Sequence, residues 1–341
     1  MLLSIVVPVW NESELLRECL LGLQRCSGPR PEVIVVDDAS GQPWRERIAA
    51  VTAEFGSQLV VLDRRSGPSA ARNRGFAASL GDVVLFLDSD VIPQPDCLAR
   101  VVDAFQAQPE LAGLMGSYDS CPSDPRLVSQ YRNLLHSYIH HSSQGSAESF
   151  WTGCGAVRRG AFTDAGGFNE VYDRPSIEDV EFGVRLVARG QRIVLDPAIE
   201  VKHQKGWSIA SMVETDFLYR ALPWTVLAWS GAGLPTNLNF THSRRISVAG
   251  TFAATLLLPF SLLNPALFWL SLSIFAAVCV LNLPFFRWLS IRNGRPFALL
   301  SVFFHWLHYF TSGLGFLFGT AVALKLWIGS REFGPEAPRK T

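Results

Sequence analysis

The sequence lacks the cysteine and leader patterns that mark several common classes of protein. It has six cysteines, namely Cys19, Cys26, Cys97, Cys121, Cys154 and Cys279. Because no Cys-x-x-Cys pair and no metal-ligand spacing with histidine occurs, neither a disulfide framework nor a zinc site is expected, and reduced cytosolic thiols are predicted. The apolar residues 1–8 have no basic leader, so they predict a first strand and not a signal peptide.

The chain also lacks net charge, but its charges are unevenly placed. Residues 1–243 contain 21 Lys/Arg and 28 Asp/Glu, whereas residues 244–341 contain 9 and 2. An acidic part joined to a basic, apolar part does not suit general nucleic-acid binding, and it favours a soluble domain attached to an anionic membrane surface. At 341 residues the chain is long enough for one large domain and a further region.

Charge is absent altogether from residues 246–286, where Asn264-Pro265 supplies a turn signal. Since about 20 apolar residues span a bilayer core, transmembrane helices are predicted within 246–328, and buried core helices are the alternative. The predicted spans are 246–263, 266–286 and 297–324. In the third, Gly313, Gly315 and Gly319 would allow a re-entrant break instead.

The flanks of these stretches predict orientation and membrane contact. Arginines at 244, 245, 287, 292 and 295 place the adjoining ends on the cytoplasmic side under the positive-inside rule. Residues 207–245 are rich in tryptophan and aliphatic side chains, which favours amphipathic helices in the headgroup layer or, equally, core packing. Residues 329–341 are predicted to be a tail.

Short apolar, β-branched runs dominate the first ninety residues. They occupy 2–7, 33–36 and 83–87, with a weaker run at 59–62. Helical patterns separate them, such as 12–25 with Asn11 as its N-cap. Alternating strands and helices predict an α/β domain with a parallel sheet, in which ligands bind beyond the carboxyl ends of the strands.

Polar residues follow three of the runs directly. These are Pro8-Val9-Trp10-Asn11-Glu12, Asp37-Asp38-Ala39-Ser40 and Asp88-Ser89-Asp90. Three such strand ends at one edge of a sheet would form a polar crevice, although each acid taken alone could simply cap the next helix. Asp88 and Asp90 could share one Mg²⁺ or Mn²⁺, because hard divalent cations prefer carboxylate and phosphate oxygens. Such a cation would neutralise a pyrophosphate leaving group.

These segments, together with residues 67–75 (Gly-Pro-Ser-Ala-Ala-Arg-Asn-Arg-Gly), resemble the family 2 glycosyltransferases with the GT-A fold over roughly residues 4–207. The resemblance implies a nucleotide-sugar donor. It implies donor contacts at Pro8, Asn11, Glu12, Asp38, Gly67, Arg72 and Asp88, with the Asp38 carboxylate on the base or ribose. It further implies that Asp90 binds the metal directly and that Asp88 faces ribose and metal waters.

The later segments are similar to the acceptor half of that family. They are residues 153–159, 166–170 and 177–182. The resemblance implies acceptor contacts at Gly153, Gly155, Gly167, Phe168 and Trp207. It also implies that Asp179 is the catalytic base, with Glu178 orienting the acceptor or the base. One carboxylate accepting the proton of an attacking alcohol would invert the anomeric centre. The other interpretation of Glu178 is a first-turn acid of the following helix.

His203 is a candidate third metal contact, since related enzymes have a histidine at this point and neutral imidazole is a common ligand. A purely hydrogen-bonding role is equally compatible. The segment His203-Gln204-Lys205-Gly206-Trp207 lacks the arginine of the processive synthases' Gln-x-x-Arg-Trp, which weakens a processive polymerase interpretation. The other nearby histidines, His136, His140 and His141, fall on a predicted helix and are expected to be solvated.

The sequence therefore predicts a membrane-bound, metal-dependent, inverting glycosyltransferase in the inner or cell membrane, with its catalytic domain (residues 1–206) cytoplasmic. Its expected acceptor is a hydroxyl of a lipid or a lipid-linked glycan, as in the synthesis of a cell-envelope glycan. The alternatives are transfer to a polyprenyl phosphate and a catalytically silent membrane scaffold on the same fold. The first usually lacks the acceptor segments, and the second should have lost Asp88, Asp90 or Asp179.

Overall fold

The computed structural model of the chain describes residues 1–231, 235, 238 and 241–329. The chain divides into two compact units. The first comprises Met1–Pro125 and His136–Gly206. The second comprises Arg126–Leu135 and the described residues from Trp207 onwards. The predicted tail, 329–341, lies outside the described residues except at its first position.

A mixed sheet forms the centre of the first unit. Its strands within the described residues are β1 (Leu3–Val9), β2 (Glu32–Asp37), β3 (Gln58–Val61), β4 (Val83–Leu87), β5 (Val91–Pro93), β6 (Leu111–Tyr118), β7 (Gly145–Ala147), β8 (Cys154–Arg158) and β9 (Arg192–His203). Their order is β3-β2-β1-β4-β8-β6-β9-β5, with β7 also paired to β9. The pairs β1–β2, β1–β4, β2–β3 and β6–β9 are parallel, and the other pairs are antiparallel.

Helices connect these strands. They are α1 (Glu14–Gln24), α2 (Trp44–Glu54), α3 (Gly67–Ala78), α4 (Cys97–Ala107), α5 (Leu127–His141), α6 (Arg159–Ala165) and α7 (Glu178–Ala188). Residues of α5 up to Leu135 belong to the second unit. The apolar faces of α1 and α4 pack on β1 and β4 in one hydrophobic core. Strand β4 is buried at all its positions, which explains why its sequence shows no polar alternation.

The expected α/β fold and its first strands are confirmed. The sheet is mixed and not wholly parallel, because β5, β7 and β8 pair antiparallel with their neighbours. The start of α1 also differs from the prediction. Asn11 is not the N-cap, because the helix begins at Glu14 after Ser13. The carboxylate of Glu12 accepts hydrogen bonds from the backbone N–H groups of Glu14 and Leu15, and it thus satisfies two donors of the first turn. Asn11 lies outside the helix in the left-handed region at φ 50°, which asparagine tolerates.

The second unit is helical where it is described. After the contribution of α5 it contains α8 (Ile209–Glu214), α9 (Leu222–Trp229), α10 (His242–Leu257), α11 (Pro265–Leu281), α12 (Leu283–Asn293) and α13 (Arg295–Gly329). A π-helical turn, Thr215–Ala221, joins α8 to α9, and a 3₁₀ turn, Leu258–Leu262, extends α10. Many large apolar side chains of α11 and α13 are exposed, as expected of a lipid-facing surface.

Among the described residues, two helical segments are long and apolar enough to cross a membrane. They are His242–Leu262, with a mean hydropathy of 1.4, and Arg295–Trp327, with 1.3. Between them α11 and α12 form a pair bent by 62°, which would be a third crossing if the pair is one span. Three spans therefore stay a prediction. The helical segments that would form them begin at His242, Pro265 and Arg295, before the predicted starts at 246, 266 and 297.

The glycines that would have allowed a re-entrant break, the alternative to a third span, lie inside the continuous helix α13. A Cβ atom on Gly315 would come within 2.4 Å of the Ala221 side chain, and one on Gly319 within 2.7 Å of Thr225. These glycines therefore allow close helix–helix packing, as small residues do between membrane helices. A polar network adds to this packing, since the Asn282 carboxamide bonds Ser247, His305 and Tyr309.

Candidate active site

The carboxyl ends of three parallel strands meet at one edge of the sheet. Val9 at the end of β1 pairs with Asp37 at the end of β2, and β4 runs parallel on the other side of β1. The backbone N–H of Asp38 donates to the Val9 carbonyl at 2.9 Å, and the Asn11 side chain accepts from the Gly41 N–H. The polar segments that follow these strands are thus neighbours, as the sequence predicted.

Asp38 and Gly67 form one side of this edge. The two Asp38 carboxylate oxygens accept the backbone N–H groups of Ser66 and Gly67 at 2.7 and 2.8 Å. Gly67 has φ +86°, and a Cβ atom there would lie 2.3 Å from the Asp173 carbonyl oxygen, so no other residue fits. Burial raises the pKa of Asp38, although these two N–H groups oppose the shift. A nucleotide contact of Asp38 stays a prediction.

Arg72 joins the donor segment to the acceptor segment. Its buried guanidinium pairs with Asp88 at 2.8 Å and with Glu178 at 2.9 Å. Glu178 is also buried, and its second oxygen accepts the Ser176 N–H. Burial raises the pKa of Asp88, with Arg72 opposing and Asp90 adding to the shift. The sequence predicts a donor contact for Arg72, whereas the bridge between two carboxylates depends on residues that only the fold brings together.

Replacing Arg72 by methionine is expected to lower the free energy of unfolding by about 3–5 kcal/mol, because a buried Glu178 loses its charge partner. The midpoint of thermal unfolding of the solubilised protein measures this loss. Arg100→Met is the matched control, since Arg100 and Asp96 form an exposed ion pair that adds little to stability. Equal midpoints for the two variants would contradict the structural role of the bridge.

Asp90 and His203 are brought together by the pairing of β5 with β9. Val91 lies opposite His203, and the Gln204 N–H donates to the Asp90 carbonyl. The His203 Nε2 atom lies 3.5 Å from the nearer Asp90 carboxylate oxygen. Burial would raise the pKa of Asp90, but His203 and Lys205 outweigh it, so the pKa is lowered and the carboxylate is ionised at neutral pH.

This donor set fits a hard divalent cation. Within the residues that the structure describes, no group of three His, Cys, Asp or Glu side chains converges on a metal site. The pair of Asp90 and His203, with Asp88 nearby, therefore supplies an incomplete shell. Mg²⁺ and Mn²⁺ are commonly bound by one or two protein carboxylates and completed by substrate phosphates and water, so the arrangement suits a site shared with a diphosphate.

Asp179 occupies the start of α7. Its Oδ2 accepts from the Thr152 backbone N–H at 3.2 Å, and its Oδ1 accepts from the Val180 N–H at 2.8 Å. Burial and the adjacent Glu178 carboxylate raise its pKa to about 7, while Arg72 opposes the shift. A carboxylate with a pKa near neutrality is suited to accept a proton at physiological pH.

The predicted acceptor glycines make room for aromatic rings. A Cβ atom on Gly153 would come within 2.2 Å of the Trp151 indole, and one on Gly155 within 2.7 Å of the Phe150 ring. Gly167 lies at φ +70° against the Asn73 side chain. Phe168 is buried, and both its backbone N–H and its carbonyl bond to Asn73. These residues thus shape the loop, and direct acceptor contacts stay predictions.

Three remaining predicted site residues lie in different surroundings. Pro8 is part of β1 opposite Val36, and Glu12 is committed to the first turn of α1. Trp207 belongs to the second unit, where its backbone bonds the Ser129 hydroxyl and its ring lies 5.5 Å from the Arg132 guanidinium carbon. Donor and acceptor roles for these residues stay predictions.

Several residues in and around the site carry roles that the sequence did not predict. Thr152 had no motif to mark it, although its N–H holds Asp179. Asn73 lay within a quoted motif, but its role as a clamp on Phe168 depends on a segment 95 residues away. His140 was expected to be solvated and is instead buried at 4% exposure, bonded to the Gly116 carbonyl. The i,i+4 spacing of His136 and His140 in the sequence could have indicated that these two side chains lie together on one face of α5.

A mixed sheet in which acidic residues follow the carboxyl end of a central parallel strand is typical of the GT-A fold of nucleotide-sugar transferases. The sequence model described as Glycosyl transferase family 2 matches residues 4–166. Residues 4–166 therefore match glycosyltransferase family 2, as the motifs predicted.

Known proteins show the same likeness. The O-antigen biosynthesis protein RfbC of Myxococcus xanthus is 36% identical over 183 residues, covering 50% of this chain and 13% of that protein. The pre-mycofactocin glycosyltransferase of Mycobacterium tuberculosis is 33% identical over 210 residues, covering 59% of this chain and 42% of the relative. Less than half the length of either relative is therefore matched.

A solved structure extends the likeness of fold. The mannosyltransferase PcManGT of Pyrobaculum calidifontis, in complex with GDP-Man and Mn²⁺, aligns with a TM-score of 0.53 at 17% identity. The alignment covers 94% of this chain and 86% of that one. At this identity the similarity supports the fold alone.

Proposed function

We propose that the protein is a membrane-attached, inverting glycosyltransferase that moves a sugar from a nucleoside-diphosphate donor to a hydroxyl of a lipid or lipid-linked glycan. One observation carries the proposal. A carboxylate with a pKa of about 7, Asp179, adjoins Glu178, and Arg72 links Glu178 to Asp88 at the strand end where family 2 enzymes hold their donor.

Asp179 is the proposed base. In the reaction the acceptor oxygen forms a bond to the anomeric carbon, its proton passes to the Asp179 carboxylate, and the bond from that carbon to the diphosphate breaks. The nucleoside diphosphate leaves with the electron pair of that bond. One displacement from the face opposite the leaving group inverts the anomeric centre, whereas retention needs a second displacement.

Arg72 and Glu178 are proposed to position this machinery. Arg72 fixes the Asp88 carboxylate, and Glu178 raises the pKa of Asp179 by its negative charge. Asp90 and His203, with Asp88 close by, are the residues that would hold Mg²⁺ or Mn²⁺. A bound cation would neutralise the charge that develops on the departing diphosphate.

The second unit is proposed to attach the enzyme to the cytoplasmic face of the inner or cell membrane. Supporting this, Arg244 and Arg245 lie in the first turn of α10, Arg287 and Arg292 lie in α12, and Arg295 begins α13. Positive residues favour the cytoplasmic side, which agrees with two crossings between these arginines, and a third crossing along α13 is proposed within 246–328. Residues 207–245 are proposed to lie at the interface, where Trp229 and Leu218 are exposed.

Membranes containing the full-length protein test the proposal. With Mn²⁺, a lipid extract and a panel of nucleotide sugars labelled in the sugar, one donor is expected to transfer label into the lipid phase. The anomeric configuration of the product, measured by NMR, is expected to be opposite to that of the donor. Retained configuration would contradict the single displacement, and label found only on polyprenyl phosphate would contradict the proposed hydroxyl acceptor. Transfer by none of the donors would contradict glycosyl transfer.

A further inference from the structure

One arginine side chain, that of Arg185 on α7, joins two segments near the candidate base. Its Nη2 donates to the Gly167 carbonyl at 2.6 Å, and its Nη1 donates to the Ala165 carbonyl. Its Nε and Nη2 also donate to the two carboxylate oxygens of Glu181, at 2.6 and 2.9 Å. A single planar guanidinium therefore connects α7 to the end of α6 and to the segment that follows it.

The backbone of residues 166–168, which we call the glycine turn, explains this arrangement. Helix α6 ends at Ala165, and the last carbonyls of a helix have no partner within it. Gly166 and Gly167 follow at φ 79° and 70°, a left-handed conformation that glycine adopts without steric strain. The chain therefore leaves the helix at once, and Arg185 supplies partners for the Ala165 and Gly167 carbonyls.

The peptide unit between Gly167 and Phe168 is held on both sides. Arg185 donates to its carbonyl, and the side-chain oxygen of Asn73 accepts its N–H at 2.9 Å. Asn73 lies on α3 next to Arg72, which forms the bridge between the donor and acceptor segments. The glycine turn is thus attached to α7 by one contact and to the donor-side helix α3 by the other.

The Phe168 ring anchors the same turn to the sheet. It lies 4.8 Å from the Phe182 ring and meets the Phe86 ring edge to face at 5.0 Å, both measured between centroids. Phe86 belongs to β4, just before Asp88, and Phe182 lies about one turn along α7 from Asp179. The glycine turn therefore has a fixed place relative to both the candidate metal site and the candidate base.

We propose that Arg185 is a positioning residue for the acceptor. It holds the glycine turn, where acceptor contacts are predicted, at a fixed distance from Asp179, so that an acceptor hydroxyl meets both the donor sugar and the base. Arg185 acts through the turn, because its guanidinium bonds the backbone and Glu181. The inference rests on the proposed transferase function. Hydrolysis of the donor by water does not need the turn, since water is not held by an acceptor loop.

The balance between transfer and hydrolysis tests this role. The full-length protein, purified in detergent, receives UDP-glucose, UDP-N-acetylglucosamine or GDP-mannose labelled in the sugar, with and without a lipid extract. Arg185→Lys keeps the positive charge but loses the planar fork. It is expected to lower transfer into the lipid phase by about 100-fold, the cost of a misplacement of roughly 1 Å, while release of free labelled sugar stays unchanged. Glu181→Gln should have a smaller effect of the same kind.

Arg189→Lys is the matched control on the same helix. The Arg189 side chain is exposed and donates to the Arg185 carbonyl one turn earlier, away from the glycine turn. Transfer and hydrolysis by this variant should both equal those of the wild type. Equal losses of transfer and hydrolysis in Arg185→Lys would overturn the assignment, because a loss of folded protein lowers both rates.

Amide hydrogen exchange of the same variants, followed by mass spectrometry, gives a measure that does not depend on activity. The N–H groups of residues 166–168 are all hydrogen-bonded, so they should exchange slowly in the wild type. Faster exchange there is expected in Arg185→Lys and not in Arg189→Lys, and unchanged exchange would overturn the assignment. Faster exchange in a protein that neither transfers nor hydrolyses any donor would contradict only the proposed function.

Discussion

Replacing Asp179 by asparagine is expected to lower kcat for sugar transfer by roughly 10²- to 10⁴-fold, the usual contribution of a positioned base. Donor affinity should stay nearly unchanged, because Asp179 bonds Thr152 and Val180 and no residue of the donor segment. Initial rates at saturating donor and acceptor measure the first effect, and calorimetric titration with the donor nucleotide measures the second.

The pH dependence of transfer tests the role of Asp179 independently, because it reports the ionisation of the base. Because the base acts in its ionised form, wild-type transfer should fall by about tenfold per pH unit below a pKa of about 7 and level off above it. The asparagine variant should lack this acid limb. A wild-type profile that is flat between about pH 5 and 8 would contradict the base assignment.

The unfolding midpoint of the asparagine variant shows whether a loss of activity results from a loss of folded protein. The pKa of Asp179 in the folded chain lies above its ordinary value of 3.8, so its ionisation destabilises the fold progressively as pH rises from that value to about 7. Asparagine escapes this penalty, and the unfolding midpoint at pH 8 should not fall. Asp103→Asn, at an exposed position of α4, is the matched control and should alter neither kcat nor the midpoint.

Local sequence patterns predicted the elements of the catalytic domain but not the contacts between distant ones. The run 83–87 is an isolated, apolar signal and corresponds to β4 without a change of boundary. His203 approaches Asp90 through the β5–β9 pairing of distant segments, and only the family resemblance suggested it. Strand pairings of this kind are set by tertiary packing, which local periodicity does not encode.

Polar side chains were the least predictable part of the site. The guanidinium of Arg72 could serve a phosphate or a carboxylate, and the choice depends on Glu178, 106 residues away. His140 has the sequence neighbourhood of an exposed helical residue, yet the Gly116 carbonyl and the Trp151 ring bury it. Glu12, and not Asn11, satisfies the first turn of α1 because the chain turns at Asn11 before the helix starts.

Replacing Asp90 by alanine is expected to abolish the metal-dependent part of nucleotide binding. Loss of even an outer partner of a metal ligand commonly lowers metal affinity about 10- to 100-fold, so loss of a ligand itself should lower it by at least about 100-fold. Among the residues that the structure describes, Asp90 and His203 lie together at the candidate site with Asp88 nearby, so few other donors can compensate. Titration calorimetry with the donor nucleotide, with Mn²⁺ and then with EDTA, measures the difference.

Two further variants provide a control for Asp90→Ala and a test of His203 as a second metal ligand. Ser89→Ala changes the residue between the two acids without removing a carboxylate, and its Mn²⁺-dependent binding should match that of the wild type. His203→Gln should weaken the same binding if His203 is a ligand, because an uncharged amide replaces the imidazole. A purely hydrogen-bonding His203 would instead leave it unchanged. Equal affinity with and without Mn²⁺ in the wild type, or full Mn²⁺ dependence in Asp90→Ala, would contradict a metal site at Asp90. Alanine should leave the fold intact, because Asp90 lies at a strand end, where its backbone carbonyl still accepts the Gln204 N–H.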